Sequence, residues 1–223
     1  MSFNIAVDGP AGAGKSTIAK RVAAALSFHY VDTGAMYRAI ALYLIRSGIP
    51  PEDTEAIGNA CRDIPISIGY SGQEQQVFLN GENVTGELRA EKVGNMASIV
   101  SANPMVREAL LSLQRRLARE QDVIMDGRDI GTNILPEAQL KIFLTASTEK
   151  RADRRYRELL EKGEPADFEK IRRDIEERDN RDRNRKTAPL RQAPDAVLVD
   201  TTDMDIDQVT ERILELYRER AVR

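Results

Sequence analysis

The sequence has very few residues of the kinds that build redox and metal centres. It contains one cysteine, which excludes both an intrachain disulfide and a cluster of thiolate metal ligands. It contains one histidine, which excludes any site that needs two imidazoles. Cys61 is therefore expected to be a small buried apolar residue in a reducing compartment. The single histidine, His29, falls in a short apolar segment and is expected to be structural.

The chain also lacks a strong charge excess and a long apolar run. Its 33 basic and 36 acidic side chains leave a formal net charge of −3, which argues against coating nucleic acid or an anionic membrane through bulk charge. No apolar run approaches the roughly 18 residues of a membrane span. The first residues have neither the basic start nor the apolar core of a signal peptide. We therefore expect a cytoplasmic protein with no membrane or nucleic-acid partner.

What is present is a regular alternation of short apolar strands and amphipathic helices. With 223 residues, the chain can form one large domain or one domain that carries an insertion. The predicted strands are 3–7, 28–31, 122–126, 140–144 and 196–200, and the predicted helices are 15–26, 34–47, 88–101, 104–120, 148–162, 167–185 and 206–219. This pattern predicts an α/β domain with a mostly parallel sheet. Residues 64–70 and 75–79 instead alternate around a Ser-Gly turn, which predicts an antiparallel hairpin in an inserted subdomain.

A phosphate-binding loop is predicted near the N-terminus, because residues 9–16 match G-x-x-x-x-G-K-[ST] in full, between a strand and a helix. Its glycines let the backbone wrap an anion with the N–H groups pointing inward, and the helix N-terminus adds positive potential. Lys15 is expected to reach the β- and γ-phosphates, and the Ser16 hydroxyl to hold Mg²⁺. The predicted ATP-binding residues of this loop are Gly9, Pro10, Ala11, Gly12, Ala13, Gly14, Lys15, Ser16 and Thr17.

The motifs that a GTPase would need are missing from the sequence. Neither an Asn-Lys-x-Asp guanine reader nor an Asp-x-x-Gly switch motif occurs. These absences favour a kinase or an ATPase over a GTPase.

Polar residues follow two of the predicted strands, where open parallel sheets bind ligands. Residues 32–38 carry Thr33 and Arg38, and residues 126–129 read Asp-Gly-Arg-Asp. Arginines at such positions suit bidentate phosphate contacts, and Asp126 resembles the aspartate that accompanies Mg²⁺ in P-loop proteins. An alternative interpretation makes Asp32 or Thr33 a helix cap, Arg38 a surface charge and the Asp-Gly pair a turn. Two such clusters beside a phosphate loop favour a ligand-binding role over the alternative of caps and turns.

Residues 151–185 are rich in charge of both signs. They hold ten arginines and two lysines against eleven acidic residues, which indicates a salt-bridged helical pair rather than a nucleic-acid patch. One arc of the second helix, about 100° wide, carries Arg178, Arg181, Asp182 and Arg185. A similar group one helix earlier consists of Arg151, Arg154 and Arg155. Two interpretations stay open: a solvated surface, or an arginine lid over a triphosphate with a hinge near Gly163.

The acceptor can be inferred from what the chain offers for catalysis. A phosphate acceptor is already ionised at pH 7, since its second pKa is about 6, so it needs no general base. The sequence has no obvious base and many arginines, which fits a nucleoside monophosphate as acceptor. A closing lid is then expected, because it would exclude water as a competing acceptor.

Several segments resemble the bacterial cytidylate kinase family over essentially the whole chain. They are residues 8–16, 31–38, 125–132, 141–144, 178–185 and 188–190. The resemblance implies a three-layer α/β P-loop kinase fold with a five-stranded parallel sheet and an enlarged monophosphate-binding insertion that holds an antiparallel sheet. It implies transfer of the γ-phosphoryl group of ATP to CMP or dCMP, with Mg²⁺ as cofactor, and we expect a monomer.

The same resemblance implies a role for individual residues. Arg38, Arg128 and Arg185 would grip the acceptor phosphate, Ser98, Arg107 and Asp129 would face the cytosine ring, Thr33 would lie beside the acceptor, and Arg178 and Asp182 would contact the ribose. Lys15, Arg128 and Arg185 would be catalytic, and Arg154 would join the ATP site. Helical spacing supports only Arg178, Asp182 and Arg185 independently.

The expected division of the chain is a core of residues 1–61, 104–149 and 186–223, an insertion of residues 62–103 and a lid of residues 150–185. Two alternatives to a CMP kinase stay open at this point. The nearer is another nucleoside monophosphate kinase, with UMP or dTMP as acceptor. The more distant is a P-loop ATPase that is not a kinase, or a nucleic-acid module that uses residues 151–185.

Overall fold

The computed structural model describes residues 2–62 and 64–221. Met1, Asp63, Val222 and Arg223, which fall within the expected core and insertion, lie outside the described residues. The strands are β1 (Asn4–Asp8), β2 (His29–Asp32), β3 (Ile66–Ser71), β4 (Glu74–Leu79), β5 (Glu82–Asn83), β6 (Val123–Gly127), β7 (Leu140–Thr145) and β8 (Val197–Asp200). The helices are α1 (Lys15–Leu26), α2 (Thr33–Arg46), α3 (Thr54–Cys61), α4 (Glu91–Val100), α5 (Pro104–Glu120), α6 (Thr148–Glu161), α7 (Phe168–Asn184) and α8 (Ile206–Ala221), with a π-helix at Ile130–Ile134.

The core is a five-stranded parallel sheet with the order β2-β6-β1-β7-β8. Successive residues of β1 pack on opposite faces: Ile5 and Val7 pack with α1 and α8, whereas Ala6 packs with α2, α4 and α5. All three side chains are fully buried, because a parallel sheet is covered on both faces and its strands can be apolar throughout. The α/β class, the parallel five-stranded sheet and the three layers are therefore confirmed.

The predicted hairpin is also confirmed, and it belongs to a three-stranded antiparallel sheet of β3, β4 and β5. Gln75 of β4 ties this sheet to the core: its Oε1 accepts from the Asp32 backbone N at 2.8 Å, and its Nε2 donates to the Asp32 carbonyl at 3.2 Å. The insertion is therefore anchored at the carboxyl end of β2, beside the polar cluster that the sequence singled out.

Helix α3 and the π-helix were not predicted from the sequence. Helix α3 has only eight residues, and its N-cap is Asp53, whose side chain accepts from the Ala56 backbone N at 2.9 Å. Cys61, at its C-terminal end, is buried and unpaired, as expected. His29 is half-buried and packs edge-on against Tyr70, with the ring centroids 4.7 Å apart. Within the described residues, no helix has the length and apolarity that crossing a membrane requires.

We predict that Gly9→Ala destabilises the fold severely, because Gly9 has a φ of 150° and a Cβ there would overlap the Leu144 carbonyl oxygen of β7. Gly48→Ala is the matched control, since Gly48 also has a positive φ, 68°, but has open space around it. The control should lose about 1 kcal/mol of unfolding free energy, from the backbone conformation alone. Gly9→Ala should lose more than about 3 kcal/mol. Equal losses in urea denaturation would contradict this prediction.

Candidate active site

The phosphate loop lies at the carboxyl end of β1, which has β6 on one side and β7 on the other. Ligands of open parallel sheets bind where the strand order reverses in this way. Gly12 and Gly14 have φ values of 73° and 88°, which turn the backbone into the N-terminus of α1. The Lys15 side chain is buried, and its Nζ donates to the Pro10 carbonyl at 2.7 Å. The Ser16 hydroxyl donates to Asp126 Oδ2 at 2.7 Å across the sheet. The loop and the end of β6 therefore form one polar site.

The electrostatics of this site favour an anion. Burial and the nearby Arg128 guanidinium lower the pKa of Lys15 to about 7, so its charged form is poorly compensated. Burial, Arg128 and further arginines likewise lower the pKa of Arg178 to about 10. Burial and the nearby Asp32 carboxylate raise the pKa of Asp126 to about 6. Bound phosphate groups would offset the positive charges, and a cation would offset the negative ones.

A large cavity of about 910 Å³ extends from the phosphate loop. The predicted ATP-binding residues Ala11–Thr17 and Arg154 line it, whereas Gly9 and Pro10 do not. Arg154 donates to the Thr201 carbonyl at 2.7 Å and to the Thr201 hydroxyl at 3.1 Å, so it lies against the residue that follows β8. The far wall, formed by Thr201 and residues 204–207, was not predicted. The strand-end rule that found the other clusters would have found Thr201.

A second and much smaller cavity, of about 70 Å³, lies beside the first. All nine residues expected to bind the acceptor line it, although they come from four separate parts of the chain: Thr33, Arg38, Ser98, Arg107, Arg128, Asp129, Arg178, Asp182 and Arg185. The Ser98 hydroxyl is buried without a hydrogen-bond partner in the described residues. Tyr37 also lines the cavity, with the Arg107 guanidinium 5.6 Å from its ring centroid, and the sequence analysis missed it.

Asp129 is the most heavily bonded carboxylate of this second cavity. Its side chain is buried and forms an ion pair with Arg107, which is buried too. The carboxylate oxygen that contacts Arg107 also accepts from Asn133 at 3.2 Å, and the other oxygen accepts from Arg185 at 3.3 Å. These donors fix the orientation of the carboxylate at the end of the cavity.

Three arginines, Arg38, Arg128 and Arg178, border both cavities. Arg128 is held by Asp182, with its Nε 2.8 Å from the Asp182 carboxylate. Arg185 lines only the second cavity, where it contacts Asp129. The junction between the cavities is therefore formed by Arg38, Arg128 and Arg178.

Other polar residues have structural contacts. Asp32 caps α2, accepting from the Ala35 backbone N at 2.9 Å, so the cap interpretation holds for Asp32. Thr33 donates to the Asp126 carbonyl at 2.7 Å. Arg151 lines the first cavity with Arg154 and Arg155, as their grouping suggested, but it is also paired. It is buried, lies 2.7 Å from the Asp179 carboxylate and donates to the Ala11 carbonyl at 3.0 Å. A partner on the next helix neutralises it, which helical spacing within one segment cannot reveal.

Mg²⁺ prefers hard oxygen ligands and usually keeps several waters and phosphate oxygens. Ser16 and Asp126 offer such oxygens 2.7 Å apart, next to the loop. Within residues 2–62 and 64–221 there is no cluster of three or more carboxylate, histidine or cysteine side chains that would hold a metal by itself. The donor set therefore fits an ion that arrives with a phosphorylated ligand.

Known proteins similar to this chain were found by sequence and by structure. The family model described as cytidylate kinase matches residues 5–219. The chain is 50% identical over 218 residues to a cytidylate kinase of Geobacillus kaustophilus (strain HTA426), covering 98% of this chain and 97% of that protein. It is 51% identical over 212 residues to a cytidylate kinase of Listeria monocytogenes serovar 1/2a, covering 95% and 94%. A solved structure of an uncharacterized protein from Eubacterium ventriosum ATCC 27560 has a TM-score of 0.54 at 12% identity, covering 98% and 100%, which shows a shared fold.

We predict that binding of a triphosphate takes up a proton at pH 8. The pKa of Lys15 is about 7, so its amine is mostly neutral at pH 8, and the anionic ligand restores the charged form. The acidic groups Asp8 and Asp126, both with a pKa of about 6, and Arg178, with a pKa of about 10, hardly change protonation at this pH. Calorimetry with an ATP analogue in buffers of different ionisation enthalpy should give close to one proton per site.

The Lys15→Ala variant serves as the control for this measurement. It should bind the analogue without proton uptake and should lose at least about 100-fold in turnover, because one preorganised charge at the phosphoryl group is gone. Lys20→Ala, on the same helix, should behave like the parent protein. Unchanged proton uptake in Lys15→Ala would contradict the assignment to Lys15.

Proposed function

The chain belongs to the cytidylate kinase family, and on that premise we propose that it transfers the γ-phosphoryl group of ATP to CMP or dCMP, giving ADP and CDP or dCDP. The observation that carries the proposal is the pair of adjoining cavities. One is lined by the phosphate loop, the other by a buried carboxylate and arginines, and three arginines border both. ATP occupies the first cavity and the monophosphate the second.

The junction arginines bind and orient the reacting phosphates. Arg38, Arg128 and Arg178 neutralise charge on the acceptor phosphate and on the transferring group, and Lys15 does so from the loop side. The Nε of Arg178 is buried and has no hydrogen-bond partner within residues 2–62 and 64–221, which suits a ligand oxygen. Arg185, which lines the acceptor cavity together with Arg38 and Arg128 and contacts Asp129, also grips the acceptor phosphate.

No side chain is needed to remove a proton from the acceptor. The phosphate oxygen of a nucleoside monophosphate is already ionised at neutral pH. The catalytic contribution of this chain is therefore alignment, charge neutralisation and exclusion of water. Mg²⁺, held by Ser16 and Asp126 together with ATP phosphate oxygens, supplies further charge neutralisation when bound.

Cytosine is selected at Asp129. The exocyclic amine of cytosine donates a hydrogen bond, whereas uracil presents an oxygen at the same position. A carboxylate accepts from the amine and repels the oxygen. Asp129 is paired with Arg107 and Arg185, which orient it, and the buried Ser98 hydroxyl offers a further polar contact to the ring. Asp182, with Arg178, contacts the ribose.

We also propose the division into core, insertion and lid with the residue bounds given above. The lid, residues 150–185, consists of α6 and α7, which pack against each other. At the start of α6, Arg151 pairs with Asp179 of α7 and donates to the Ala11 carbonyl of the phosphate loop. Closure therefore moves the part of the lid that lies farther from the phosphate loop than these contacts. Monomeric state and cytoplasmic location stay predictions.

Another nucleoside monophosphate kinase is the second candidate function, and a P-loop ATPase the third. A coupled assay of ADP release with CMP, dCMP, UMP and dTMP separates them. Turnover with CMP and dCMP supports the proposal. Preferred turnover with UMP or dTMP, or ADP release that no monophosphate stimulates, would overturn it.

We predict that Asp129→Ala narrows the preference for CMP over UMP. The kcat/KM for CMP should fall about 10- to 100-fold, because the hydrogen bond to the amine is lost, and the value for UMP should fall much less. Asp195→Ala is the control, since Asp195 pairs with Lys141 outside both cavities and should leave the CMP-to-UMP ratio unchanged. Equal kcat/KM for CMP and UMP in the parent enzyme would contradict base reading by Asp129.

We predict that ligands protect the lid from amide exchange. A bisubstrate analogue supplies anions that several arginines share, which favours closure. Exchange in residues 150–185 should slow more than exchange in the central strands, and CMP alone should affect mainly the insertion. The exposed Leu160 side chain and the Gly163 turn mark the part where the largest change is expected. Unchanged exchange at saturating ligand would mean that the charged helices form a static surface.

A further inference from the structure

Asp8 is a buried carboxylate that the proposed chemistry does not use. It is the last residue of β1 and directly precedes the phosphate loop, and its side chain is 4% exposed. One carboxylate oxygen accepts from the Ile130 backbone N at 2.7 Å, and the other from the Gly131 backbone N at 2.8 Å. Both donors belong to the start of the π-helix, whose first N–H groups have no partner within the helix.

These bonds fix the segment that carries two acceptor-binding side chains. In the central sheet Gly127 pairs with Asp8, and Ile130 is held by the Asp8 carboxylate. Arg128 and Asp129 are the only residues between these two anchor points. Their side chains lie on a short arc of chain whose two ends are both tied to one residue of β1.

The space around this contact leaves little freedom. A Cβ on Gly131 would lie 3.4 Å from Asp8 Oδ2 and 3.2 Å from the Lys141 side chain. A Cβ on Gly127 would lie 2.6 Å from Ile130 Cδ1. The turn therefore packs closely against the carboxylate, and small displacements of Asp8 are transmitted to it.

We propose that Asp8 is a positioning residue for phosphoryl transfer. Its carboxylate holds the turn of residues 127–131, so that Arg128 and Asp129 are aligned with the phosphate loop that directly follows Asp8. This inference rests on the proposed function and deepens it. Because the same residue ends β1 and caps the π-helix, it fixes the donor loop and the acceptor-binding turn relative to each other. Misplacement of the acceptor by about 1 Å can cost on the order of 100-fold in rate.

The donor site depends much less on this carboxylate. Asp8 affects the pKa of Lys15 less than burial, Arg128, Asp126 and Arg178 do. Asp8 contributes no side chain to either cavity wall. Its loss should therefore act on acceptor binding and alignment rather than on ATP binding.

The test is the near-isosteric Asp8→Asn substitution. An asparagine can accept one of the two N–H groups, but its own amide then faces the other donor. Amide exchange of Ile130 and Gly131 should accelerate about 10-fold or more, and kcat/KM for CMP should fall about 10- to 100-fold, with a narrower CMP-to-UMP ratio. The KM for ATP and the triphosphate-linked proton uptake should stay close to the parent values.

Asp53→Asn is the control for the chemical change, because Asp53 also caps a helix, through one exposed hydrogen bond to the Ala56 backbone N, away from both cavities. It should lower stability slightly and leave both kinetic constants and the CMP-to-UMP ratio unchanged. Parent-like kinetics in Asp8→Asn despite faster exchange would overturn the positioning role. Unchanged exchange would overturn it too, and so would equal increases in KM for ATP and CMP.

A second variant covers poor folding of Asp8→Asn. Gly131→Ala crowds the same turn, because the new Cβ would lie 3.2 Å from the Lys141 side chain. It should raise the KM for CMP without affecting ATP binding; no change in the KM for CMP would count against the role. Failure of the proposed function is separately visible, because the parent enzyme would then show no CMP-dependent ADP release. The exchange measurement on Ile130 and Gly131 requires no activity.

Discussion

The crowding of positive charge at the carboxyl ends of β1, β2 and β6 is the constraint on which the site depends. Lys15, Arg128 and Arg178 lie close enough that burial and mutual repulsion lower the pKa of Lys15 and of Arg178. The packing of the folded core holds these side chains together despite their repulsion. Bound phosphate groups would relieve that repulsion. Binding energy from the anions is then available for alignment of the reacting groups.

Carboxylates pair with several of the arginines around the site, and each pair gives its arginine a different position. Asp129 pairs with Arg107 and Arg185, Asp182 orients Arg128, and Asp179 pairs with Arg151, which still lines the cavity of the phosphate loop. Arg38, Arg128 and Arg178 border both cavities, and Arg128 does so while paired with Asp182. Pairing therefore sets the orientation of the arginines around the two cavities.

Long periodic segments and cap signals made most of the fold predictable. The strands of the central sheet, the long helices and the hairpin follow from apolar periodicity and turn residues, and their ends differ from the structure by one or two residues at most positions. Helix α3 was missed because eight residues carry little periodic signal. The π-helix was missed because its first N–H groups are capped by Asp8, 122 residues away in sequence from Ile130.

The sequence by itself determined the phosphate loop, since a complete local motif between a strand and a helix specifies both geometry and chemistry. It also determined, through helical spacing, that Arg178 and Asp182 share a face of α7, whereas Arg185 follows the end of that helix at Asn184. Only the tertiary structure decided that Arg185 meets Asp129, that Arg151 is neutralised by Asp179, and that Asp8 caps a distant turn. The physical reason is that charge pairing and burial depend on which segments the sheet brings together, and local spacing carries no information about partners from elsewhere in the chain.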